Sequence, residues 1–180
     1  MFTYGFGLER RIRRQFRDND AVCDELFRQF SVFPLSLLEF FINSDRGHFI
    51  VAASGAEYDG TSGIAICGIR YLVGNYGVCH EEFVHLLDHL LGSNGRGRRM
   101  SEGSGVTTKI AEIGQHIQEL FYSPHFVSEY AKENEREYLA QGVRFFLTQP
   151  DELAISDIEL YHFVANCFMN ENFWQEVLLP

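Results

Sequence analysis

The sequence predicts an α+β fold, mostly helical with a small β-sheet, and three observations lead to it. Apolar residues recur at helical spacing over most of the 180-residue chain. Two short apolar runs, residues 48–53 and 64–69, are rich in strand-forming residues and lie close together in the first half. Residues 77–90 read as a helix carrying His80, His85 and His89 with Glu81, Glu82 and Asp88, and a small sheet is expected beside it. A chain of this length is expected to form one domain, 1–180, burying roughly 70% of the surface its unfolded form exposes.

Taken in order, Leu8, Ile12 and Phe16, then Val22, Leu26 and Phe30, mark two short helices separated at Asp18-Asn19-Asp20, a break that also offers a fresh N-cap. Residues 1–30 thus read as an N-terminal helical extension. Pro34 suits the first turn of the next helix, which carries Leu37, Leu38, Phe40, Phe41 and Ile42 and stops at residues 43–47. The two strands follow, the second with a possible continuation through residues 71–73, and a Gly-rich segment around residues 58–63 joins them. Residues 92–105 hold five glycines among Arg96, Arg98 and Arg99 without apolar periodicity, which predicts a mobile loop over or beside the preceding helix. Ile110, Ile113, Ile117 and Leu120 predict a helix over 107–121. A short helix over 126–131, a longer one over 135–148 and another over 157–169 complete the chain.

Composition excludes several roles. A formal net charge of −10 and a pI near 5.1 argue against nucleic acid or an anionic membrane as the main partner. No run reaches the ~18 apolar residues of a membrane span. Arg10, Arg11, Arg13, Arg14 and Arg17 precede no apolar stretch, so an ordinary secretory signal is not expected. The basic cluster reads as a solvated helix face, or else as the translocation signal of a secreted effector. The expected location is cytoplasmic, or a host cell reached without a cleavable signal peptide. Cys23, Cys67, Cys79 and Cys167 show no Cys-x-x-Cys spacing and read as buried thiols of a reducing compartment. Aromatic side chains, including 17 Phe and 8 Tyr, should dominate the core.

The histidines and carboxylates of residues 77–90 are best explained by a divalent metal. In His-Glu-x-x-His, two imidazoles one turn apart bind zinc and the intervening Glu is the general base. Here His80 and His85 are five apart, ~140° around a regular helix, where a spacing of four leaves ~40°. Two registers follow. In one, a π-bulge brings His80 and His85 together as ligands with Glu81 as base, and the hexapeptide resembles the His-Glu-x-x-x-His motif of dipeptidyl peptidase III. In the other, a regular helix presents Glu81 and His85 as ligands with Glu82 as base. Asp88 could orient a ligand imidazole through a hydrogen bond, and His89 is a rival ligand. His48, His116, His125 and His162 have no motif around them.

A two-histidine zinc site takes a third ligand from elsewhere, and residues 130–146 supply a candidate. With its pattern Glu137-Tyr138-Leu139-Ala140, this stretch resembles the metal helix of the anthrax lethal factor C-terminal-like zinc metallopeptidases, related to Pro-Pro endopeptidases and MtfA peptidases. Phe83, His85 and Asp88 match that family's His-Glu-Phe-x-His-x-x-Asp, with Glu81 where its first histidine belongs. The order of elements and residues 148–161 extend the resemblance over residues 34–168. The resemblance implies a zincin-like fold and a single zinc ion held by His80, His85 and Glu137, or by Glu81 in the second register. It implies peptide-bond hydrolysis of a protein substrate, by a secreted effector or toxin or by a housekeeping peptidase. Tyr130, seven residues before Glu137, matches a tyrosine that assists the tetrahedral intermediate. The competing expectation is a catalytically inactive protein of the same fold that binds a protein partner.

Overall fold

A computed structural model describes residues 19–52, 54–74, 77–123 and 125–178. The predicted helix at residues 8–16, the break residue Asp18 and the arginine cluster lie outside them. Helix α1, Asn19–Phe30, buries Val22 and Phe30 in the same core as the rest of the chain. Helix α2, Leu35–Asn43, starts where expected: Pro34, with φ preset at −50°, offers its carbonyl to the Leu37 and Leu38 amides. Extended Ser44 ends it.

Strands β1, His48–Ala52, β2, Ala56–Asp59, and β3, Ile64–Gly68, form a sheet ordered β1-β3-β2. β1 runs parallel to β3, pairing His48 with Ile64 through Ala52 with Gly68, and β2 runs antiparallel to it. β2 was not anticipated. It is four residues long, sits at an edge and alternates between half-buried and exposed positions, so it carries no apolar run to announce it. The proposed continuation of β3 through residues 71–73 is corrected: Ile69–Gly74 is a helix, α3. Pairing to β1 ends at Gly68 and pairing to β2 ends at Cys67, so beyond Gly68 no strand remains to take up backbone groups, and the chain satisfies them locally.

Helix α4, Val78–Ser93, packs between β2 and β3 on one side and α6, Glu135–Thr148, on the other. The loop after α4 is also corrected. Rather than free over the site, it forms a 3₁₀ turn at Met100–Glu102 with Met100 and Ser101 fully buried. Glycine permits the packing: a Cβ at Gly92 would lie 2.4 Å from the Arg99 carbonyl carbon. Helix α5, Thr108–Phe121, is capped by Thr107, whose hydroxyl accepts from the Ile110 amide. The short helix expected over 126–131 is only a 3₁₀ turn, Tyr130–Lys132.

Asn134 caps α6 by accepting from the Arg136 and Glu137 amides. Beyond it the chain continues as α7, Pro150–Ser156, α8, Ile158–Phe163, and a π-helical turn, Val164–Phe168. Asp157 caps α8 and accepts the Tyr138 hydroxyl at 2.7 Å. The last helix, α9, Glu171–Leu178, buries Trp174, whose indole N–H donates to the Phe168 carbonyl, and Glu171 accepts from the Ser36 amide and hydroxyl of α2. Cys67 and Cys79 are buried free thiols and Cys167 a half-buried one. Among the described residues, no helix is long and apolar enough to cross a membrane.

Candidate metal centre

Every residue of α4 from Cys79 to Gly92 is buried. The apolar side chains, Phe83, Val84, Leu86, Leu87, Leu90 and Leu91, account for that burial, and the polar ones must therefore find partners, because a buried ionisable group left alone is costly. Four of them do so, on different sides. His80 donates from Nε2 to the Gln29 carbonyl at 3.0 Å and packs its ring against Phe33. Asp88 accepts from the Ser101 amide and hydroxyl, both at 2.7 Å. His89 Nδ1 and the Tyr58 hydroxyl are hydrogen-bonded at 2.7 Å. Glu81 accepts from the Arg144 guanidinium at 2.8 Å.

The helix is regular throughout, without a bulge. Glu81 and His85, one turn apart, consequently share a face, and Glu137 from the first turn of α6 meets them. One ligand atom from each lies within 4.8 Å of the others. The bulged register is thereby corrected: His80 points to the end of α1 and the turn after it, where Gln29 and Phe33 hold it, and stands outside this group. Asp88 is corrected too. Both of its oxygens are engaged by Ser101, and His85 Nδ1 has no hydrogen-bond partner.

Glu81, His85 and Glu137 could hold a metal ion. Two carboxylates and an imidazole are ordinary ligands for divalent ions, and the trio is poorly satisfied by itself. His85 Nε2 lies 3.1 Å from Glu137 Oε2, close enough for an ion pair but off the line of a hydrogen bond, so Oε2 has no donor. Burial pushes the Glu137 carboxyl up, but the His85 imidazole together with the Arg136 and Arg99 charges holds the group below its ordinary range.

Beside the trio opens a cleft of about 440 Å³ lined by Tyr71, Glu81, Glu82, Ser128, Tyr130 and Arg144, among others. Glu82 has a buried oxygen without a partner, and burial, then the neighbouring Glu81 charge, push its carboxyl up to about 8. A carboxyl that titrates near neutrality can take and return a proton. The Tyr130 phenol, 45% exposed at the cleft, is pushed up to about 12 by burial and by Glu137 and Glu133, which keeps it a hydrogen-bond donor at neutral pH. The structure thus lines one cleft with Glu81, Glu82 and Tyr130, brings His85 and Glu137 to Glu81, and leaves out His80, Asp88 and His89. Sequence reasoning missed Arg144 and Ser101. Arg144 was within reach, since it follows Glu137 by seven residues and so shares its face of α6; nothing in the sequence singles out Ser101.

No protein-family model, curated protein or solved structure matches the chain.

Proposed function

We propose that the chain is a zinc-dependent metallopeptidase of the zincin type, resembling the lethal factor-like enzymes, that hydrolyses peptide bonds of a protein substrate. The observation that carries this reading is the convergence of Glu81, His85 and Glu137 beside a cleft. Bound by these three residues, zinc would supply Lewis-acid polarisation of water and of a scissile carbonyl. Glu82, one residue beyond Glu81 and facing the same cleft, takes the proton of the attacking water and returns it to the leaving amine. Tyr130 donates to the oxyanion as charge develops there, a kind of contact worth ~3 kcal/mol where a single donor has been removed. The sheet's edge strand β2 reaches the cleft through Ala56, and it is along this edge that an extended polypeptide would lie.

A second reading has one specific observation in its favour. Glu81 is already paired with Arg144, and His85 already lies against Glu137, so the charges are partly balanced without any ion. A catalytically inactive protein that uses the cleft to bind a partner would keep these pairs. Elemental analysis of protein purified without a metal-binding tag separates the two: near-stoichiometric zinc is expected, and protein that stays metal-free with micromolar zinc at neutral pH sinks the enzyme reading.

A further inference from the structure

We infer that Arg144 is a positioning residue that makes a glutamate workable where zinc sites of this kind ordinarily use an imidazole. The inference rests on the metal-site reading above and goes beyond its ligand set. Zinc held by two imidazoles and one carboxylate sits in a ligand shell of formal charge −1. Replacing one imidazole by Glu81 makes that shell −2, with Glu81 itself buried. Like charges gathered in a buried space oppose one another. Arg144 returns the formal charge to −1.

Its geometry is suited to more than neutralisation. Nη1 donates to Glu81 Oε2 at 2.8 Å, which ties down one of the two carboxylate oxygens and fixes the orientation of the group. The Glu81 side chain is 9% exposed and that of Arg144 32%, so the pair is partly shielded from water. Arg144 and Glu137 lie two turns apart on one face of α6, so a single helix brings both the third ligand and the cation to α4. Gly77, at φ +72°, clears the way for the arginine stem: a Cβ there would lie 2.9 Å from Arg144 Cγ. Hydrogen bonds to ligating carboxylates commonly set metal affinity in this way.

The opposite role is that of a competitor, with the guanidinium occupying Glu81 in place of the ion, and the two roles predict changes of opposite sign. Zinc dissociation constants of the full chain, measured by competition with a chromophoric chelator, distinguish them in the wild type, Glu81→Gln, Arg144→Gln, Arg144→Lys, Glu81→His and Glu81→His/Arg144→Gln, with the visible spectrum of the cobalt(II) forms as a geometric signature. Arg144→Gln is expected to weaken zinc by ~10–100-fold and alter the cobalt spectrum, and Arg144→Lys to recover part of the loss. In the Glu81→His background, Arg144→Gln should cost nothing, because an imidazole does not use the guanidinium. Wild-type or tighter affinity in Arg144→Gln overturns the assignment, as does an equal loss in both backgrounds, which would mark a role in folding alone. A wild type that binds no zinc, or zinc binding that survives Glu81→Gln, overturns the metal-site reading itself and the role of Arg144 with it.

Discussion

Three side chains at the candidate site and one outside it, His80, have separable roles, and each makes its own prediction. Glu81→Gln should weaken zinc binding, whereas Glu82→Gln should retain zinc and lose peptidase turnover; metal content measured beside a peptide-cleavage assay checks both. His80→Ala should bind zinc like the wild type but lose ~1–3 kcal/mol of stability, because it leaves the Gln29 carbonyl without a donor and a hole against Phe33. Loss of zinc from His80→Ala would restore the bulged register. Tyr130→Phe should lower kcat by ~100-fold with KM and zinc content nearly unchanged, since an interaction made only in the transition state enters kcat. With the ring nearly half exposed, its melting temperature should barely move. Full turnover in that variant would mean that the seven-residue offset to Glu137 carries no chemistry.

At the scale of elements, the contact between α4 and the Met100–Glu102 turn decides what Asp88 does. Asp88→Asn exchanges two charge-assisted acceptors for one neutral acceptor in a fully buried place, so it should cost ~1–3 kcal/mol of stability in thermal or urea unfolding. Zinc affinity should change little, since Ser101 and not His85 is its partner; a drop of tenfold or more would assign Asp88 to the metal site after all. The same contact explains why the glycine-rich segment packs. Glycine in a sequence suggests freedom of the chain, but at Gly92 it serves close approach, which composition does not distinguish from mobility. The strand β2 and the helix α3 were hidden for a related reason: whether a short segment pairs or coils depends on which neighbouring strands still have open backbone groups, and those come from elsewhere in the chain.

For the whole molecule, zinc that binds only the folded chain should stabilise it by ~2.7 kcal/mol at a hundredfold excess over Kd. A protein of this size shifts ~2–4 °C per kcal/mol, so the melting temperature should rise by ~5–10 °C and fall back on adding a chelator. An unchanged melting temperature at saturating zinc would count against a site formed by tertiary packing of α4 and α6. The far ends of the described chain are joined by another titrating contact. The Ser36 hydroxyl and amide hold the Glu171 carboxyl below its ordinary value of 4.5. A lowered folded-state value means that this contact stabilises the protein above about 4.5 and is lost as pH falls through the folded value. Glu171→Gln should therefore melt below the wild type at neutral pH, and the gap should close under acid. A gap that stays constant with pH would show that the glutamate charge has no part in holding α9 to α2.

Much of this protein is determined by local pattern: the mixed fold, the Pro34-led helix and the helix over 135–148, and the gathering of histidines and carboxylates on one helix. Periodicity also fixes angles within that helix, so Glu81 and His85 belong to one face and His80 to another in any unbulged form. What periodicity does not contain is the direction in which each face points. That was decided by the neighbours: Gln29 and Phe33 take the His80 side, Ser101 takes Asp88, and α6 brings Glu137 and Arg144 to the side of Glu81 and His85. A buried ionisable group goes where a partner can meet it, and those partners lie between 13 and 63 residues away along the chain, beyond the reach of any local spacing.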